Sequence, residues 1–221
     1  MTDIAGNLRR ILERIQDAAK RAGRLPDSVR LLAVTKTVSP DRIREAIACG
    51  VTHIAENRLQ EALLKREALA SETVAWHFIG HLQTNKAKKV VENFTCVHSV
   101  DRLDLAEALA RQGANRPPLP VLIEVKLQEE QNKSGVAPGD LPALVSSVKA
   151  FQNLELRGLM AIPPPVDDPE QARPYFRRLR MLSEDLGLPE LSMGMTHDFE
   201  VAVEEGATMV RIGTGLFGSR S

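Results

Sequence analysis

The 221-residue sequence predicts a single-domain (β/α)8 barrel, and three observations predict it. Short apolar runs alternate with amphipathic helical stretches about eight times along the chain. The segments between successive runs are long enough for right-handed crossovers joining parallel strands. No GxGxxG follows the first run, which disfavours the doubly wound open sheet that would otherwise suit the same rhythm.

Taken in order, Ile4, Leu8, Ile11, Leu12 and Ile15 recur at spacings of three and four and predict an opening helix that ends near Gly23. Residues 31–36 form the first strand, and Ser39, Pro40 and Asp41 supply cap and first-turn chemistry for a helix reaching about Gly50. Strand and helix then alternate at 53–56 and 58–70, at 76–80 and 85–92, and at 96–100 and 102–112. Further strands are expected at 120–127, 154–162, 190–195 and 208–212, with helices near 140–150, 169–186 and 198–205. Too little chain follows the eighth strand for a full helix, so the extra N-terminal helix is expected to cover that part of the outer ring. The proline-rich pieces 116–120 and 163–165 read as loops.

Lysine plus arginine and aspartate plus glutamate both total 29, so no overall field favours polyanions. Aromatic residues are six Phe, Trp76 and Tyr175, too few for a stacking platform, and nucleic acid is excluded as a main partner. Lys86, Lys88 and Lys89 read as a solvated helix face. The opening segment carries Arg9, Arg10, Glu13, Arg14 and Asp17, and no apolar stretch is long enough to span a bilayer, so a cytoplasmic protein with no membrane partner is expected. Cys49 and Cys96 belong to no CxxC pair; both are expected to be small core thiols, with neither disulfide nor zinc.

In such barrels chemistry sits at the C-terminal ends of the strands. Period two places Leu32, Val34 and Lys36 on one face, so an inward first strand lifts Lys36 into the mouth, where apolar walls favour the neutral, nucleophilic amine. A lysine snorkelling to water is the plainer alternative. At the other end, Arg211 shares parity with Met209 and Gly213 and should face the same mouth, while Val210 and Ile212 pack against helices. Gly213, Thr214 and Gly215 form a turn whose backbone N–H groups can approach an anion. Thr196 either caps the helix that begins near Phe199 or offers its hydroxyl to that anion; a capping box is absent, since Phe199 stands where Glu or Gln would be needed. A mouth lysine, an inward arginine and this anion turn together suit an aldehyde that carries a phosphate, and pyridoxal 5′-phosphate meets both requirements. An aldolase-like barrel, in which Lys36 attacks a sugar phosphate without a cofactor, uses the same parts.

The segments 33–37, 56–58, 77–86, 132–135 and 192–220 resemble the pyridoxal-phosphate homeostasis proteins, the YggS/PROSC family, over nearly the whole chain. The resemblance implies a barrel of fold type III, similar to the N-terminal domain of alanine racemase, that binds pyridoxal 5′-phosphate without established catalysis. It implies Lys36 as the Schiff-base lysine, Arg211 facing the pyridine nitrogen, Gly213 and Thr214 in the phosphate turn, and Asn57 near the ring. Thr196 falls where a serine is commoner, adding a methyl and keeping the donor.

A cation beside the pyridine nitrogen opposes its protonation and weakens the ring as an electron sink. Racemisation also needs a base on each side of Cα. Lys36 can be one, but Tyr175 falls on a predicted outer helix with Arg173, Arg177 and Arg178, badly placed to be the other. The leading expectation is therefore a monomeric carrier that serves pyridoxal-phosphate-dependent apo-enzymes, with an amino-acid racemase as the alternative. His77 and His81 read as proton carriers, as substrate contacts or as structural histidines, His197 as a support for the phosphate turn, and Lys133 as a loop charge or a second amine that meets incoming cofactor.

Overall fold

The computed structural model describes residues 3–114, 116–128 and 134–218. Eight parallel strands, β1 (Arg30–Val34), β2 (His53–Glu56), β3 (Ala75–Phe78), β4 (Cys96–Val100), β5 (Leu119–Glu124), β6 (Leu154–Met160), β7 (Glu190–Met195) and β8 (Met209–Ile212), pair in chain order. β8 closes onto β1 with Arg211 opposite Leu32, so the predicted (β/α)8 barrel is the observed fold. The outer ring is α1 (Ile4–Arg21), α2 (Pro40–Ala48), α3 (Leu59–Ala68), α4 (Ala87–Asn93), α5 (Leu103–Gln112), α6 (Leu141–Lys149), α7 (Arg173–Asp185), α8 (Phe199–Glu204) and the single turn α9 (Thr214–Phe217).

Strand alternation divides the core in two. Leu32, Ala55, Cys96, Leu122, Met160 and Met209 form a small buried cluster inside the barrel, with Val34 and Ile79 packed on it. The neighbours of opposite parity, including Ala33, Ile54, Val97, Leu159, Val210 and Ile212, join the larger cluster under the helices. Arg211 therefore points inward between two outward aliphatic residues, as its parity predicts.

Four strands stop short of the apolar run that predicts them. β1 ends at Val34 against an expected 36, β3 at Phe78 against 80, β5 at Glu124 against 127 and β6 at Met160 against 162. The extra apolar residues lie at the mouth: Ile79 packs on the interior cluster, Val125 and Leu127 are buried, and Val125 keeps one isolated bridge, to Val136. Apolar character there reports burial without a continuing ladder. The helix expected at 169–186 is split into a 3-10 turn, Pro169–Ala172, capped by the Asp168 carboxylate, followed by α7.

α1 lies beside α2, α8 and α9, filling the outer ring where the one-turn α9 is too short. Ile4, Leu8, Ile11 and Ile15 are buried, each worth roughly 2 kcal/mol of apolar transfer. Leu12, placed in the stripe from its spacing, stands at the edge and is 40% exposed. The Asn7 side-chain amide donates to the Leu216 carbonyl at 3.0 Å, which ties α1 to the turn after β8. Cys96 is buried as expected, but Cys49 is exposed: it caps α2 as the chain turns at Gly50, beyond the buried positions Ile43 and Ala46. Lys88 and Lys89 are exposed on α4, as expected of a solvated face, and Lys86, just before α4, is half-buried.

Candidate cofactor site at the barrel mouth

Lys36, Asn57, Thr196, Arg211, Gly213 and Thr214 line one cavity of about 440 Å³ at the C-terminal end of the strands. Lys36 and Gly213 also face a neighbouring hollow of about 400 Å³ beside Ser39 and Arg42. The strands deliver these side chains from chain positions up to 178 residues apart, because β1 and β8 are neighbours only in the closed barrel.

Lys36 is half-buried in the turn after β1, and the turn is tightly held. Thr37, the next residue, adopts φ 64°, a left-handed conformation that costs a branched side chain energy and recurs at functional sites. Its N–H donates to Glu61 Oε1 at 2.5 Å. The buried Lys65 ammonium, on α3, donates to the Thr35 carbonyl at 2.5 Å, to Glu56 Oε1 at 2.7 Å and to Glu61 Oε1 at 2.6 Å. Thr35 Oγ1–H donates to Glu56 Oε1 at 2.6 Å. Burial raises the Glu56 carboxyl, partly offset by Lys65 and Thr35. At Glu61 burial also acts upward, but the bonds from Lys65 and the Thr37 N–H outweigh it and the net shift is down. This clamp escapes sequence reasoning: only the i,i+4 Glu61–Lys65 pair is visible there, and such pairs are common on solvated helix faces.

Arg211 is 3% exposed. Its NH1 group donates to the Ser192 carbonyl at 2.6 Å and to Ser192 Oγ at 2.8 Å, and NH2 donates to the Ala161 carbonyl at 2.9 Å. Burial lowers it to about 10, which still leaves a cation at neutral pH; Glu124 and Asp198 oppose the shift.

Thr196 does not cap α8. Asp198 occupies the N-cap position and accepts from the Met195 N–H at 2.6 Å, while Thr196 Oγ1 turns to the β8 turn, accepting from the Gly215 N–H at 3.3 Å and standing 3.4 Å from Thr214 Oγ1. A Cβ at Gly215 would lie 3.0 Å from the Thr196 methyl, so a side chain there would crowd the two hydroxyls apart. The chain just past β3 packs closely on Asn57 because residue 80 is glycine: a Cβ there would overlap the Asn57 carbonyl oxygen. Asn57 Oδ1 is buried and has no partner among the described residues.

The remaining sequence candidates separate. His81 and His197 line the cavity and are exposed; a His197 ring nitrogen lies 2.9 Å from the Asp167 carbonyl, which ties the loop after β6 to the turn after β7. His77 is buried inside the barrel, away from the cavity lining. Tyr175 sits on outer helix α7, half-buried against the main core cluster. Lys133 lies outside the described residues; Ser134, beside it, lines the cavity and donates to Glu124 Oε1 at 3.0 Å.

Glu124, at the end of β5, also lines the cavity. Burial, assisted by Asp101, raises its carboxyl to about 6 against the pull of Ser134 and Arg211. A folded-state value above the unfolded one costs stability as pH rises from about 4.5 through 6. Glu124→Gln should therefore be more stable than wild type at pH 7–8 by up to about 2 kcal/mol and equal to it near pH 4, measured by urea unfolding across pH.

A half-buried lysine, an inward arginine and a hydroxyl-lined glycine turn around one cavity define a class: (β/α)8 barrels suited to a carbonyl compound bearing an anionic group. Residues 6–221 match the family described as alanine racemase, N-terminal domain. The chain is 51% identical to the pyridoxal phosphate homeostasis protein of Pseudomonas aeruginosa, covering 100% of this chain and 97% of that one, and 42% identical to that of Escherichia coli, covering 100% and 98%. It belongs to the pyridoxal phosphate homeostasis protein family. Among solved structures, PipY of Synechococcus elongatus with pyridoxal phosphate bound superposes with TM-score 0.86 at 38% identity over 98% of this chain and 100% of that one. Alanine racemase from Corynebacterium glutamicum, at 18% identity and TM-score 0.67 over 93% of this chain and 59% of that one, shares the fold. The curated relatives carry a homeostasis name and not that of an enzyme.

Proposed function

We propose that this protein is a carrier of pyridoxal 5′-phosphate that holds the cofactor on Lys36 and serves cofactor homeostasis without turning over a substrate of its own. The observation that carries the reading is the convergence of Lys36, Arg211 and the Thr196–Thr214 turn on one cavity of about 440 Å³, a volume suited to a small cofactor. The binding of pyridoxal phosphate by PipY supports it. The residues fit the group: an amine, a ring-facing cation, two hydroxyls beside a glycine turn, and an unpartnered amide oxygen on Asn57.

When bound, the cofactor supplies an aldehyde that condenses with a primary amine with loss of water. Lys36 would supply that amine, from a turn whose backbone is held by Lys65 and Glu61, so little backbone freedom would be lost on attachment. Thr196, Gly213 and Thr214 receive the phosphate through hydroxyl and backbone donors. Arg211, a cation at neutral pH, would face the pyridine nitrogen and oppose its protonation, which disfavours carbanion chemistry. Asn57, which lines the same cavity, would stand beside the ring. Tyr175 on an outer helix provides no base opposite Lys36, which favours the carrier over the racemase. The same reading takes 1–221 as one functional unit, monomeric and cytoplasmic, delivering to apo-enzymes; no helix among the described residues is long and apolar enough to cross a membrane.

Borohydride reduction of the protein loaded with pyridoxal 5′-phosphate, followed by peptide mass mapping, should place the pyridoxyl group on Lys36. An adduct solely on Lys133 overturns the assignment, and sustained isomerisation of any amino acid by the loaded protein overturns the carrier reading.

A further inference from the structure

The mouth of the barrel is linked to its opposite end by a buried row of polar side chains. Ser192 Oγ, which accepts from Arg211 NH1, lies 2.9 Å from His98 Nδ1. His98 Nε2 lies 2.9 Å from His77 Nδ1, and His77 Nε2 lies 2.9 Å from His53 Nδ1. His98, His77 and Ser192 are buried, while His53, the first residue of β2, is half-buried at the N-terminal end of the barrel.

We propose that Ser192, His98, His77 and His53 form a directional hydrogen-bonded relay whose polarity is set by Arg211, and that His98 and Ser192 are positioning residues for that arginine. The direction follows from counting donors. A guanidinium can only donate, so Ser192 Oγ accepts from Arg211 and is left with one hydroxyl proton. His98 Nδ1 is the acceptor within reach among the described residues. A neutral His98 then carries its proton on Nε2 and donates to His77 Nδ1; His77 likewise donates from Nε2 to His53 Nδ1. Every buried nitrogen in the row is satisfied in this arrangement, and all three imidazoles are neutral Nε2–H tautomers. Reversing the row would leave the Ser192 hydroxyl proton without a partner beside a cation.

The charged surroundings favour the same state. His53 faces Arg30 on β1; His77 faces His53, Arg30 and Arg157 on β6; His98 faces His77, Arg211 and Arg30. Burial, with these cations behind it, lowers His77 to about 3 and lowers His98 and His53 as well. Cys96 Sγ comes within 4.8 Å of ring nitrogens of His77 and His98, a spacing that resembles a metal triad. Both nitrogens of each ring already stand in contacts of 2.9 Å, and burial drives the thiol far above its usual range, so the relay accounts for these groups without an ion.

Histidine side-chain ¹H–¹⁵N correlation spectra of the cofactor-free protein test the polarity directly. The expected result is a single Nε2–H form for all three residues between pH 6 and 8. A protonated Nδ1 on His77 or His98 overturns the proposal, as does stoichiometric zinc binding that Cys96→Ser abolishes. Ser192→Asp replaces the donor with an acceptor that pairs with Arg211, and should reverse all three tautomers to Nδ1–H, out to His53. Unchanged His53 would show that the row is not coupled. Should that variant not fold, Ser192→Ala should give mixed tautomers at His98, and an unchanged single form overturns the proposal.

The positioning role rests on the cofactor reading and has its own arm. Asparagine places an amide near the Nδ1 position and glutamine near Nε2, so His98→Asn keeps the Ser192 contact and His98→Gln loses it. His98→Gln should shift the absorption band of the bound cofactor and weaken its retention roughly tenfold, with His98→Asn within about twofold of wild type. Equal spectra and retention in both variants overturn the positioning role, whereas failure of the wild type to bind would overturn the cofactor reading and leave the tautomer result standing.

Discussion

Lys36→Ala is expected to abolish the borohydride-fixed adduct completely while leaving the fold intact. The side chain is half-buried at the cavity wall, and the bonds that hold its turn come from Thr35 and Thr37 backbone atoms, which alanine keeps. Retention of cofactor should fall at least tenfold, about 1.4 kcal/mol or more, with residual binding through the Thr196–Thr214 turn and Arg211. Arg211→Ala should show the complementary defect: a covalent adduct still forms, but the ring is loosely held and side reactions rise. Equilibrium dialysis and the absorption spectrum distinguish the two. Equal affinity in both variants and wild type would show that the cofactor lodges elsewhere.

Lys65→Met is expected to be the most destabilising single change near the site. It removes the cation shared by Glu56, which is fully buried, and Glu61, leaving two carboxylates facing each other under the Lys36 turn. Breaking a buried pair in this way typically costs about 3–5 kcal/mol, roughly 10 °C in Tm for a chain of this size. Thermal unfolding followed by circular dichroism measures it. The double variant Lys65→Met, Glu56→Gln should recover part of the loss, since the uncompensated charge goes with it. The pH dependence has a definite sign. The folded Glu61 carboxyl is depressed, so its contribution is present above its unfolded value of 4.5 and disappears as pH falls through the folded value. The gap between wild type and Lys65→Met should therefore narrow below about pH 4.5. Glu56, shifted the other way, offsets part of this at neutral pH. Because Lys65 also holds the Thr35 carbonyl, the variant should lose cofactor retention even at temperatures where it is folded.

The two ends of the chain illustrate how much of the site was legible beforehand. Period two along 209–213 puts Arg211 on an inward face, as observed, whereas β1 stops at Val34 and Lys36 reaches the same cavity from the turn beyond the strand. Thr196 has two readings that local pattern does not separate; the structure turns its hydroxyl to the Gly215 N–H, while Asp198 stands at the N-cap position of α8 with its carboxylate turned back to the Met195 N–H. Strand ends were overrun wherever apolar residues line the mouth, since hydrophobicity marks burial and carries no record of whether a ladder continues.

What the residues alone determine is the architecture and the inventory: alternating runs of strand and helix length, an inward lysine and arginine, a glycine turn able to approach an anion, and a neutral, aromatic-poor composition. What only the tertiary structure decided is which polar groups meet across sequence. Lys65 finds Glu56, Glu124 comes beside Arg211, and three histidines from successive strands line up behind Ser192. Those partnerships depend on barrel closure and on stagger between neighbouring strands, and the energy of a buried charge is set by the atoms around it. Residue type supplies the charge, and geometry supplies the partner.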